Sequence, residues 1–153
     1  MLIGGPMKKF GLLPAVAILA IPMVLGGCAE DKYGIAALDE QAGSEDVRPG
    51  AEPFTFPKEI NDSTLRLLVE DDGRKYFGAE SADGKDACVA VYFVEGQPGT
   101  YSGCGAYFGA GERLTQFSGQ DGRATILVQD NVDTKRLESE GFRRIHQNVY
   151  VSR

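Results

Sequence analysis

The chain has 153 residues, 16 basic against 22 acidic side chains, a formal net charge of −6 and 42% hydrophobic residues. An acidic balance of this size repels nucleic acid and anionic lipid headgroups, so neither is expected as a partner. The length admits one sizeable core, and the N-terminal part of the chain does not read as core.

Lys8 and Lys9 precede an apolar run from Phe10 to Leu25, which ends in Leu25-Gly26-Gly27-Cys28. A positive segment, an apolar segment and a small-residue cleavage site, in that order, are the three parts of a secretory signal. The run is short for a spanning helix, which needs about 20 apolar residues, and Pro14 and Pro22 interrupt it. With a leucine three positions before a cysteine and two glycines between them, the segment resembles a bacterial lipoprotein signal peptide. The lipobox of that family is cut just before the thiol, which then carries the lipid. The resemblance implies a signal peptide over 1–27, lipidation at Cys28, and a protein anchored to the cell membrane facing outside the cytoplasm. Two or three acyl chains make such an anchor lasting, because each buried CH₂ contributes about 0.8 kcal/mol. Met7 stands directly before Lys8 and Lys9, so Met1 and Met7 are both candidate starts.

Removing 1–27 deletes two lysines and no acid, which leaves the remainder more acidic still. With Cys28 assigned to lipid, Cys88 and Cys104 remain in an oxidising compartment, where a disulfide between them is expected. Their spacing is not Cys-x-x-Cys, which argues against a redox-active pair.

Residues 28–62 are acidic and rich in Ala, Gly and Pro, without sustained periodicity, and read as a lipidated N-terminus followed by a flexible linker. Within it, Ile35 to Gln41 suits a transient helical turn. Phe54 and Phe56, alternating between prolines, suit an edge segment docked on the domain.

Residues 63–153 read as one small β domain. Leu65, Leu67 and Val69 alternate as in a half-buried strand, and Asp71-Asp72-Gly73 marks a hairpin into Lys75 to Ala79. Asp83-Gly84 makes a second turn, into Ala87 to Val94, which is apolar on both faces and therefore central. Pairing Cys88 with Cys104 centres the next turn on Gly96 and brings the two Cβ atoms to disulfide distance, so hairpin and bridge support each other. Leu114 to Ser118 and Ala124 to Gln129 suit two further strands about Gly119-Gln120-Asp121-Gly122. Asp133 to Glu140 suits a short helix stopped by Gly141, before a last hairpin of Phe142 to Ile145 and Val149 to Ser152 turning at His146-Gln147-Asn148. The expected fold is mainly β (α+β): an antiparallel sheet of about six to seven strands, curling towards a barrel, with one short helix and one disulfide.

The succession of a strand with a DG turn, Cys-Val-Ala-Val-Tyr, Ser-Gly-Cys-Gly, Ile-Leu-Val-Gln-Asp-Asn and a terminal Asn-Val-Tyr-Val resembles small exported domains of unknown function common in high-GC Gram-positive bacteria. That resemblance spans roughly Thr64 to Val151. It bears on fold and compartment and implies no site.

No catalytic constellation is visible, so no enzyme and no cofactor are expected. His146 is the only histidine and sits in an expected turn, which suits a structural role better than a triad or a zinc site. Neither Gly-x-Ser-x-Gly nor His-Glu-x-x-His occurs. Gly103 to Gly111 is glycine-rich but fits neither the dinucleotide nor the Walker spacing, and its glycines suit close packing near the disulfide. Glu70-Asp71-Asp72 and Asp130 to Asp133 lack the EF-hand register, so no metal site is expected. A binding patch is sought among Tyr92, Tyr101, Tyr107 and Phe108, since a strand exposes alternate side chains. The expected function is a surface binding module for a protein or a cell-wall component. The alternative is an inhibitor or accessory factor of an envelope enzyme acting through the Gly103 to Gly111 loop.

Overall fold

The computed structural model describes residues 34–49, 54–94, 100–107 and 113–153. All of them belong to one compact unit. Cys28, Phe108 and the segment 1–27 lie outside the described residues.

Two four-stranded antiparallel sheets make up the unit. The first has the order β1 (Arg66–Asp71), β2 (Arg74–Glu80), β3 (Asp86–Phe93), β4 (Tyr101–Ala106). The second has the order β5 (Thr115–Ser118), β6 (Ala124–Leu127), β8 (Val149–Ser152), β7 (Phe142–His146). Two short helices accompany them, α1 (Ala36–Asp39) and α2 (Lys135–Ser139). The mainly β, antiparallel, disulfide-bonded fold is as expected. It has more strands than expected, one more helix, and two separate sheets where a single curling sheet was anticipated.

Local sequence explains most elements. Asp72 and Gly73 take φ of 49° and 70°, the left-handed pair that a tight hairpin between twisted strands requires. β3 pairs on both sides, with β2 and β4, which accounts for its apolar run. Cys88 lies directly opposite Cys104, and Asp86 opposite Ala106, the register anticipated from the cysteine pair. The two sulfurs are bonded.

The two-residue period of each strand sorts its side chains into layers. Tyr76, Ala87, Val89 and Val91 of the first sheet meet Leu127, Val149 and Val151 of the second in the central core. On the outer face of the first sheet, Phe77, Ala79 and Ala90 are covered by Phe54 and Leu65, with Phe54 and Phe77 rings 5.0 Å apart. On the outer face of the second, Ile126, Val128 and Tyr150 are covered by Leu137 of α2. A bulge between Leu67 and Val69 in β1 turns both Leu68 and Val69 towards the central core.

The edges of the two sheets approach each other on both sides. On one side, a Cβ on Gly105 of β4 would lie 1.7 Å from the carbonyl oxygen of Leu114, so only glycine permits that crossing. On the other, Arg143 of β7 donates to both carboxylate oxygens of Asp71 in β1, at 3.1 and 2.7 Å. At one end of the sandwich, Arg74 bridges Asp72 at 3.1 Å and Asp121 at 2.6 Å while Arg123 donates to Asp72 at 3.0 Å, linking the β1–β2 and β5–β6 turns. Hydrogen bonds from Arg123 and Arg74 hold the Asp72 carboxyl below its usual range.

The expectation that 28–62 is a flexible linker needs correction for its described parts. Ile35 and Leu38 are 2% and 1% exposed and belong to the central core, and Phe54 is fully buried. α1 is accommodated because residue 78 is glycine: a Cβ there would meet Leu38 at 3.0 Å and Leu68 at 2.9 Å. Residues 54–60 dock as well, through Ser102 Oγ to the Thr55 carbonyl at 2.7 Å, Lys58 to Asp86 at 2.6 Å and an Ile60–Ser81 bridge. Burial of a few apolar side chains, each stabilising by about 1.5–3 kcal/mol, outweighs the acidic composition that argued for disorder.

Candidate functional site

Among the described residues Tyr92, Tyr101 and Tyr107 do not share one exposed face, for a reason of register. Val91 is paired with Tyr101, so Tyr101 shares the inward face of Val91 while Tyr92, one residue on, faces outward. Tyr92 packs in the outer cluster under Phe54, and the Tyr101 ring meets Phe93 edge-on at 5.8 Å. Tyr107 packs against the central core and its hydroxyl donates to Glu80 at 2.9 Å. Burial, and then that hydrogen bond, push the Tyr107 hydroxyl pKa far up, so it stays protonated. Phe108 and residues 109–111 of the Gly103 to Gly111 loop lie outside the described residues. The described glycines there serve packing: Gly103 faces Phe117 and Gly105 faces Leu114.

The carboxylate runs have structural partners. Glu70 pairs with Lys75 at 2.7 Å, Asp71 with Arg143 and Asp72 with Arg74 and Arg123. Asp133 accepts from the Lys135 N–H at 3.1 Å at the start of α2. Among the described residues no group of three His, Cys, Asp or Glu side chains converges as a metal site, and no helix is long and apolar enough to cross a membrane.

The concave surface lies elsewhere, on either side of α1. One cleft of about 410 Å³ is lined by Gln129, Asp130, Thr134, Arg144, Gln147 and Tyr150. A second, of about 420 Å³, is lined by Glu40, Asp46, Arg66, His146 and Gln147 among others. Both volumes fall within the range of small-ligand sites. Gln147, in the β7–β8 turn, borders both.

Asp130 organises the wall between them. Its Oδ2 accepts the Ala36 N–H at 2.7 Å and its Oδ1 accepts the Asn148 side-chain amide at 2.7 Å, while its own N–H donates to the Gly34 carbonyl at 2.9 Å. Asn148, fully buried, gives its other amide hydrogen to the Val128 carbonyl at 3.1 Å. Asn131, next in the chain, has φ of 60°, a left-handed conformation that asparagine tolerates better than most residues. Tyr150 donates its hydroxyl to Thr134 Oγ1 at 2.7 Å at the cleft wall.

In the second cleft Arg66, 7% exposed, donates to the carbonyls of Ser63, Leu65 and Glu40 and approaches Asp46 at 4.0 Å. Asp46 in turn accepts the Leu67 N–H of edge strand β1 at 2.6 Å, at the bulge. His146 Nδ1 accepts the Asn148 N–H at 3.2 Å, which requires a neutral ring. Burial, and then the charge of Arg144, hold its pKa below 6.5, against the opposing pull of Asp130 and Glu40.

Sequence reasoning placed His146 in a structural role and missed Gln129, Arg144 and Gln147. Asp130 was considered only as part of a calcium cluster. Their one shared signal is position: all flank the last hairpin or the turn before α2. Comparison with protein families, curated proteins and solved structures finds no match for this chain.

Proposed function

We propose that this protein is an envelope lipoprotein, anchored through lipidated Cys28, whose β domain acts as a binding module for a protein or cell-wall component at the clefts beside α1. The lipobox Leu25-Gly26-Gly27-Cys28, placed after Lys8-Lys9 and an apolar run, carries the anchoring. The Cys88–Cys104 disulfide supports the same address, because such bonds persist in oxidising compartments and are rare in the cytosol. The clefts support binding over catalysis: their described polar groups include carboxamides, carboxylates, guanidinium groups and the His146 imidazole, and no hydroxyl or thiol among them is hydrogen-bonded to a base.

Replacing Cys28 tests the anchor. Cys28→Ser should move the protein from the membrane pellet to the soluble fraction. A variant retained in the pellet to the same extent as the parent contradicts the reading.

A further inference from the structure

We propose that the cleft between Gln129, Asp130 and Arg144 binds a small zwitterion carrying an ammonium and a carboxylate group, of the amino-acid or short-peptide class. The proposal rests on the binding-module reading and names its ligand.

Three observations converge on this cleft. Gln129 lines it, is only 5% exposed, and its Oε1 is buried without a hydrogen-bond partner. A buried acceptor left unpaired costs on the order of 1–3 kcal/mol, a penalty that a donor from a ligand removes. Arg144, on the same cleft, is exposed and has no ion pair among the described residues, whereas neighbouring Arg143 is committed to Asp71. Asp130 supplies a carboxylate in the same wall, fixed by the Ala36 and Asn148 N–H groups.

These groups define a ligand by complementarity. Gln129 Oε1 and the Asp130 carboxylate are acceptors, suited to an ammonium with its three donors. The Arg144 guanidinium is a planar fork matched to a carboxylate, which it can hold with two parallel hydrogen bonds. A ligand with both charges is neutral overall, so the acidic protein does not repel it as it would a simple anion. The volume of about 410 Å³ leaves room for more than a single amino acid, so a dipeptide is the apt probe.

The fixed geometry favours such binding. Arg144 stands on β7 directly opposite Tyr150 on β8, so both project from the same outer face of the second sheet. Asp130 is held from two directions and Tyr150 is tied to Thr134, so the acceptors and the hydroxyl wall are ordered before a ligand arrives. Preorganisation of this kind lowers the entropic cost of association.

The test is an NMR titration of the full-length protein in detergent with alanyl-alanine, its N-acetyl derivative and its C-terminal amide. Alanyl-alanine should shift the resonances of Gln129, Asp130, Arg144 and Gln147. Acetylation removes the ammonium and amidation removes the carboxylate, and each should weaken binding by about tenfold or more. Arg144→Gln, at an exposed position, should erase the difference between the dipeptide and its amide. Gln129→Met, which leaves the Asp130 carboxylate in place, should narrow the difference between the dipeptide and its acetyl derivative. No shift in the cleft, or shifts indifferent to both blocking groups and to Arg144→Gln, overturns the proposal. Membrane attachment through Cys28 is read in a separate fractionation. Attachment retained with a silent cleft therefore refutes the ligand alone, and a responsive cleft on a detached protein refutes the anchoring alone.

Discussion

Asp130 accepts the backbone N–H of Ala36 at 2.7 Å across 94 residues of sequence. This contact supplies the cap that α1 lacks locally, since Ile35 at its N-cap makes no side-chain hydrogen bond. With Asn148 on the other carboxylate oxygen, Asp130 ties α1 to the second sheet. Asp130→Ala should lower stability by about 2 kcal/mol, as two charge-assisted hydrogen bonds are lost. Urea denaturation measures this, and amide exchange at Ala36 should accelerate in the same variant.

Leu38 tests whether the segment before residue 63 belongs to the core. Its side chain is 1% exposed among Ile35, Tyr76 and Leu68 of the central cluster. Leu38→Ala should destabilise the domain by about 3 kcal/mol, the range for a buried leucine, whereas a tether residue would cost almost nothing. The urea midpoint decides between them.

The Cys88–Cys104 bridge closes a loop of 16 residues between adjacent strands. Loop closure of that length contributes about 3 kcal/mol to stability. The double variant Cys88→Ala/Cys104→Ala should unfold at correspondingly lower urea, and adding a reductant should have no further effect on it.

His146 gives the domain a pH dependence of known sign. Its folded pKa is below its ordinary 6.5, so the unfolded chain binds the extra proton first as pH falls. Stability should be full above 6.5 and decline as pH drops through the folded pKa. The depressed carboxyls of Asp72, Asp83 and Asp121 titrate below their ordinary 3.8 and act in a separate, more acidic window. Denaturation midpoints in mildly acidic buffer should therefore flatten in His146→Gln, which keeps a polar side chain without the titration.

The hairpins were legible because their determinants are local. Asp72-Gly73 specifies its turn, and the position of Cys88 against Cys104 sets a register that the β3–β4 ladder follows. In residues 34–60 the helical turn after Ile35 and the docking of Phe54 were legible, but the burial of Ile35 and Leu38 in the central core was not. Ile35, Leu38 and Phe54 are isolated apolar residues in an acidic stretch, and their burial depends on Gly78 and on an exposed face of the first sheet, both distant in sequence. The division into two sheets was hidden for a similar reason, since strand patterning fixes which side chains share a face but not which faces meet. The clefts are not legible because Gln129 and Arg144 are ordinary polar residues, and only the fold brings a buried oxygen and a charge, both unpaired among the described residues, to one cleft.

Whether the domain is carried on a lipid at Cys28 is read by intact-mass spectrometry of the protein recovered from the membrane fraction. The expected product is a chain that begins at Cys28 with an added diacylglyceryl mass on that residue. A protein beginning elsewhere, or beginning at Cys28 without added lipid, contradicts it.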